Sequence, residues 1–435
     1  MLIVYGFFQL SQESFFASGF AAYDCRRWER HVVRSAILLG VLITTLGCRQ
    51  QPIRGDLKAL YEAQRWPELY DALEGTQGND FYRGAVAVIF HQDVQRAESY
   101  LTSTIAAAPK SDEAYEAYEW LSHLYLYTGQ YQRAMAIMEA RWTAFPEKTA
   151  RVQEQAEFAG FRGAPDQITQ RVEPSTVPHE HESIFVPVSI NGSPATFFFD
   201  TGAWVSATSE SEAKRLGLRF TDATGTTGTM TRRARFRMAV ASLVVVGNVH
   251  LANVAFFVFP DDQEPWSLVP NGHKGLLGIP VILAFRTLRW ARSGTMRIGE
   301  PPAPFDVHAS NLVFDNDHLA VRVGFEGRSA LAAVDTGAES TDLLREFSVQ
   351  FPSATAFGRK GSTQVRGVGG GESYESVRLP EVAFEIGGRR AILHGADVLL
   401  SRGIRSYIGN FGMDVFHQGS ALTMDFSAMR LTLED

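Results

Sequence analysis

The most constraining feature of this chain is that its C-terminal part contains itself twice. Val186-Pro-Val-Ser-Ile-Asn-Gly192 aligns with Val321-Arg-Val-Gly-Phe-Glu-Gly327. The match runs on without a gap from Ala195 onto Ala330, and from Asp200-Thr-Gly-Ala203 onto Asp335-Thr-Gly-Ala338, all 135 residues apart. Further on, Leu276-Leu277-Gly278 is aligned with Tyr407-Ile408-Gly409 and Phe285 with Phe416, at a spacing of 131 residues. Ordered matches at several separated points imply a tandem duplication, with Pro301-Pro-Ala-Pro304 near the seam. Such a chain is expected to fold into two like halves, each bringing its own Asp-Thr-Gly.

Both copies read as β-structure. Ile184–Ile190, then Asn191-Gly192, then Ala195–Phe199 is the pattern of a hairpin with a tight turn. Period-2 stretches separated by glycine-rich turns recur to the C-terminus, which argues for an all-β region. Each Asp-Thr-Gly follows an apolar strand, Phe197-Phe198-Phe199 before Asp200 and Leu331-Ala-Ala-Val334 before Asp335. These strands carry a carboxylate into a poorly hydrated interior. Gly202 and Gly337 allow a sharp turn and the approach of the equivalent loop. Thr201 and Thr336 can hydrogen-bond across the pair and hold the loops in register.

Two carboxylates brought that close cannot both ionise, so they share a proton and can act as acid and base together. Such a pair can activate water against a peptide carbonyl without metal, cofactor or covalent intermediate. The catalytic candidates are therefore Asp200 and Asp335, shaped by Thr201, Gly202, Ala203, Thr336, Gly337 and Ala338.

Asp-Thr-Gly-Ala followed by Ser206 or Thr341 resembles the signature of retropepsin-like aspartic proteases, and the resemblance covers roughly residues 183–435. The two hydrophobic-hydrophobic-Gly segments resemble that family's second landmark, a strand packed beside the catalytic loop. The resemblance implies that each half contributes one aspartate to a shared site, here within one bilobal chain. A site formed between two molecules remains the alternative. It also implies flaps over the site, around Gly225 and Gly228 in the first half and around Gly367, Gly369 and Gly370 in the second. Thr231-Arg-Arg-Ala-Arg-Phe-Arg237 makes the first flap basic, which reads either as a preference for acidic substrate groups or as a protected edge strand. Trp204 reads as packing or as a subsite wall.

Residues 53–160 read as helical. Leu121, Tyr125, Gly129, Tyr131, Ala134 and Pro146 sit where tetratricopeptide repeats place their large, turn, small and terminating residues, and Ala97 and Pro109 form a weaker earlier copy. A generic helical bundle is the other reading, and in either case the region offers at most a docking surface for a protein partner. Residues 161–182 are rich in turn-forming and polar residues and read as a linker, with His179 and His181 facing solvent.

Near the N-terminus, Arg26, Arg27, Arg30 and Arg34 precede an apolar run, Ser35–Gly47, that ends at Cys48. The run is short of the roughly 20 residues that span a bilayer but suits a signal sequence. Leu46-Gly47-Cys48 resembles a bacterial lipobox, which implies lipidation of Cys48, a membrane anchor, and export to the periplasm or cell envelope. Cys25 is the only other cysteine, so processing at Cys48 would leave no disulfide or cysteine-based metal site.

The expected organisation is a multidomain α plus all-β chain. Its parts are a signal sequence (1–48), a helical region (53–160), a linker (161–182), a first half (183–300), a second linker (301–312) and a second half (313–435). A net charge of −7 gives no basic footprint, so nucleic acid is not an expected partner. The chain has no Gly-x-Ser-x-Gly elbow and no His-Glu-x-x-His motif. Two functions follow: an aspartic endopeptidase, or a catalytically silent module that holds peptides in the same cleft.

Overall fold

Helices come first, and several of their segments pair a start signal with an apolar stripe. Asp93 accepts from the Arg96 N–H at 2.9 Å and so caps Val94–Ala107. Ser111 accepts from the Ala114 N–H at 3.1 Å and caps Asp112–Tyr127, whose first turn carries Asp112 and Glu113. Trp120, Leu121, Leu124 and Tyr125 bury the inner face of that helix, and Ala134 lets the next helix, Tyr131–Ala144, pack closely. Helices Leu57–Glu62, Trp66–Leu73, Asp80–Ile89 and Arg151–Phe158 complete the region. The computed structural model describes residues 56–91, 93–148, 151–179, 185–228, 233–270, 272–315, 318–367, 370–404 and 406–435. Cys48, His181 and Gly369 lie outside the described residues.

After the helices the chain forms three sheets. The first has eight strands in the order Ile168–Arg171, Val249–Phe259, Ser206–Ser209, Gly275–Leu277, Ser193–Phe199, Phe185–Ile190, Arg233–Val246 and Arg219–Gly228. A further pairing of Val249–Phe259 with Arg233–Val246 closes it on itself. The second also has eight: Leu312–Asp315, His318–Phe325, Arg328–Val334, Gly409–Phe411, Asp342–Leu343, Arg389–Leu399, Gly370–Ile386 and Arg359–Gly367. It closes where Gly324 meets Glu385. Closure removes most of the open strand edges that would otherwise invite pairing with another chain.

The third sheet joins the halves. Its five strands run Ser175–Pro178, Thr295–Ile298, Thr287–Ala291, Ala421–Asp425 and Arg430–Leu433. The central pairing sets Leu288 opposite Met424 and Trp290 opposite Leu422, so each half supplies two strands to one ladder. Leu288, Trp290, Met296, Leu422 and Met424 are all buried and, with Phe199, Thr201, Ile282 and Thr336, surround an apolar space of only about 10 Å³ behind the two Asp-Thr-Gly loops.

Residues 161–182 differ from the expected linker. Ile168–Arg171 pairs with Val249–Phe259, and Ser175–Pro178 pairs with Thr295–Ile298. Both are edge strands, which tolerate the polar, proline-bearing composition that reads as a loop. His179 is likewise buried rather than solvent-facing. Its ring stacks on Trp290 at 5.2 Å and its Nε2 lies 2.8 Å from the Ala291 carbonyl.

The helical region touches both halves. Phe158, and Phe161 just after it, pack on Trp204, at 6.0 and 5.4 Å between ring centroids. Toward the second half, Tyr127 packs on Phe314 at 4.5 Å and Gln64 donates to Asp315 at 2.8 Å.

Candidate active site

Each Asp-Thr-Gly is delivered by a buried strand. Phe199 pairs in parallel with Leu277, and the Asp200 N–H donates to the Leu277 carbonyl at 3.0 Å. In the second half Val334 pairs with Phe411, and the Asp335 N–H donates to the Phe411 carbonyl at 2.9 Å. The chain then turns back, and the two loops meet across the boundary between halves.

The loops lock through their threonines. The Thr201 N–H donates to Thr336 Oγ1 at 3.1 Å, and the Thr336 N–H donates to Thr201 Oγ1 at 3.0 Å. Each hydroxyl donates to the carbonyl that precedes the opposite aspartate, Thr201 to Val334 and Thr336 to Phe199, both at 2.8 Å. All four bonds are buried and cross between the halves, which is the geometry that a shared site requires.

The glycines set how closely the carboxylates meet. A Cβ on Gly337 would lie 2.5 Å from Cγ of Asp200, and one on Gly202 would lie 2.9 Å from Cγ of Asp335. Each carboxylate therefore sits against the glycine of the other half, and only glycine leaves the room. The carboxylates are held locally as well. Gly202 N–H donates to Oδ1 of Asp200 at 2.8 Å, while Gly337 and Ala338 donate to Oδ1 of Asp335 at 3.0 and 3.1 Å. Ala203 and Ala338 are buried behind the turns. Asp200 is 0% exposed and Asp335 3%, and burial pushes the Asp335 carboxyl above the ordinary range of an aspartate.

Ser206 and Thr341 have matching roles. The Ser206 hydroxyl accepts from the Gly278 N–H at 3.1 Å, and the Thr341 hydroxyl accepts from the Gly412 N–H at 3.0 Å. These bonds correct the register of the repeat. The partner of Leu276-Leu277-Gly278 is Asn410-Phe411-Gly412, not Tyr407-Ile408-Gly409, and Phe416 is accordingly not the partner of Phe285. Tyr407-Ile408-Gly409 carries the expected apolar pattern, but its tyrosine is a buried side chain donating to Asp315 Oδ2 at 3.1 Å. The polar Asn410 conceals the real landmark.

Asn410 is also the site residue that the sequence pattern does not reveal. Its Nδ2 donates to Oδ2 of Asp335 at 2.7 Å. Two further acids of the second half are shifted by burial, Asp342 buried and Asp414 partly so. Burial pushes Asp342 up to about 6, and it also raises Asp414, which accepts from the Thr341 hydroxyl at 2.7 Å.

Hairpins stand where flaps are expected. Arg219–Gly228 pairs with Arg233–Val246, and Arg359–Gly367 pairs with Gly370–Ile386. Gly228, Gly367 and Gly370 are at the distal ends of these ladders, whereas Gly225 is not a tip residue. Its place is a packing site, where an added Cβ would lie 2.5 Å from the Phe236 ring and 3.0 Å from the Ala156 carbonyl of the helical region. Gly160 meets the other part of the same ring at 2.3 Å by the same measure, and Phe236 stacks on Phe257 at 3.7 Å. The first hairpin is thus held against the helical region. On its basic strand Arg237 stays exposed and lies over the Phe220 ring at 4.3 Å. Trp204 is buried against Phe158, Phe161 and Phe257 and is packing rather than an exposed wall.

Residues 186–281 match the family model described as aspartyl protease, a segment that holds Asp200, Thr201 and Gly202. Among solved structures, the crystal structure of a retropepsin-like aspartic protease from Rickettsia conorii is similar over 31% of this chain and 94% of that chain. The two are 19% identical, with a TM-score of 0.22. No curated protein matches the chain. The first half of the duplicated region thus holds a segment that matches an aspartyl-protease family model, and Asp200 lies within it.

Proposed function

We propose that this protein is an aspartic endopeptidase whose single dyad is Asp200 and Asp335. The observation that carries the reading is the reciprocal placement of each carboxylate on the glycine of the opposite half, with the threonines bonded between them. The aspartyl-protease segment around Asp200 supports it. In the reaction, the ionised carboxylate takes a proton from a water whose oxygen bonds to the peptide carbonyl carbon. The protonated partner gives its proton to the carbonyl oxygen. The tetrahedral intermediate then breaks its C–N bond, and a proton passes to the leaving amine.

The substrate class is a peptide or protein. Lipidation at Cys48 and a place in the cell envelope belong to the same proposal, and they rest on Leu46-Gly47-Cys48. So does a tetratricopeptide-like role for the helices, which rests on the residues around Leu121 and Ala134. The test is peptide cleavage across acidic to neutral pH by the unmutated protein, Asp200→Asn and Asp335→Asn. Equal loss in both variants is expected. An unmutated protein that binds peptides without cleaving them would establish the silent binding module instead.

A further inference from the structure

The two halves are not chemically equivalent at the dyad. At the register position next to the catalytic strand, the first half has Leu276 and the second has Asn410. A leucine side chain cannot donate a hydrogen bond, whereas Asn410 donates to Oδ2 of Asp335 at 2.7 Å. Asn410 is itself buried, so the bond is made in a poorly hydrated interior where a donor to a carboxylate counts for more than in water.

We propose that Asn410 is a positioning residue that breaks the symmetry of the dyad, holding Asp335 as the ionised, water-activating carboxylate and leaving the shared proton on Asp200. This inference rests on the peptidase reading only for its catalytic consequence; the proton placement stands on the geometry. Oδ1 of Asp335 accepts from two backbone N–H groups and Oδ2 from Asn410, and hydrogen bonds to a carboxylate favour its charged form. Burial works in the opposite direction, and the Asn410 bond is the foremost influence opposing it. The other groups facing Asp335 are Asp200 from the first loop, His318 on its neighbouring strand, Asp342, and Arg402 in the loop after Arg389–Leu399. Of these, Asp342 is the cross-strand partner of Asn410, so its titration is followed alongside that of Asp335.

The test uses Asn410→Leu, which copies the first half, and Asn410→Ala, which removes the amide without adding bulk. Two readouts are taken. Carboxyl carbon shifts of labelled aspartates, assigned with Asp200→Asn and Asp335→Asn, follow ionisation without any need for cleavage. The pH profile of kcat/KM follows it through catalysis. The first ionisation of the unmutated pair is expected on Asp335. In both variants it moves to higher pH, the acid limb of the profile moves with it, and kcat/KM falls about tenfold. A first ionisation on Asp200, or an Asp335 titration unchanged by folded Asn410→Ala, overturns the inference. An unmutated protein that cleaves nothing, yet shows the Asp335 titration moving in the variants, sinks the peptidase reading and leaves the proton placement standing.

Discussion

Thr201 and Thr336 each donate a backbone N–H to the other's hydroxyl, at 3.1 and 3.0 Å, from positions 135 residues apart. Replacing either hydroxyl leaves a buried N–H and a buried carbonyl in the opposite half without that partner. Thr336→Val should therefore destabilise the protein by about 1–3 kcal/mol. Peptide cleavage should fall with it, because the register of the two loops is loosened. Denaturant unfolding beside a cleavage assay checks both, and a stable, fully active variant would contradict the role given to this lock.

Gly337→Ala should be worse for activity than for folding. Its added methyl would meet Asp200 Cγ at 2.5 Å and push the carboxylates apart, and overpacking of this kind costs about 1–3 kcal/mol. Cleavage is expected to be lost while the variant remains folded at room temperature. Circular dichroism with a cleavage assay distinguishes this from simple unfolding.

Asp342 predicts a pH dependence of stability. In the folded protein its proton is held up to about 6 because the carboxyl is buried, while the unfolded chain releases it near the ordinary aspartate value of about 4. Between those values the folded state binds more protons, so stability falls as pH rises from about 4 to about 6 and then levels. The loss is on the order of 3 kcal/mol. Thermal melts of the unmutated protein and Asp342→Asn over this range should diverge, the variant losing less as pH rises. Parallel curves would rule the assignment out.

The two hairpins should differ in mobility. Phe236 of the first lies between Gly160 and Gly225 and stacks on Phe257, which ties that hairpin to the helical region. Amide exchange is expected to be slower in Arg233–Val246 than in the corresponding arm of Gly370–Ile386 near its distal end. Phe236→Ala should raise exchange in the first hairpin selectively and destabilise the protein by about 3–5 kcal/mol. Equal exchange in both hairpins of the unmutated protein would refute the anchoring.

Phe161 tests how the helical region and the first half depend on each other. Its ring packs on Tyr131, Trp204 and Phe257, joining a helix, the loop that follows Asp200-Thr-Gly and a barrel strand. Phe161→Ala is expected to cost about 3–5 kcal/mol and to lower the single melting transition of the whole protein. Separate transitions for helices and sheets, with the sheet transition unmoved, would show that the contact carries no coupling.

The duplicated Asp-Thr-Gly was legible because covalent spacing and residue type survive in the sequence whatever the loops do. Apolar strands before Asp200 and Asp335, the hairpin turn at Asn191-Gly192, and the capped helix after Ser111 all follow from local pattern and local hydrogen bonding. Only the tertiary structure decided the rest, because it depends on partners distant in sequence. The strands within 161–182 exist because an edge of each sheet lies beside them. Gly225 is glycine because the Phe236 ring and the Ala156 carbonyl occupy the space beside it. Asn410 entered the site because parallel pairing with Ala333 fixed a register three residues away from the one that apolar pattern favours. A pattern search rewards hydrophobicity at that position. The folded protein placed a buried hydrogen-bond donor there, where its partner is a carboxylate 75 residues earlier in the chain.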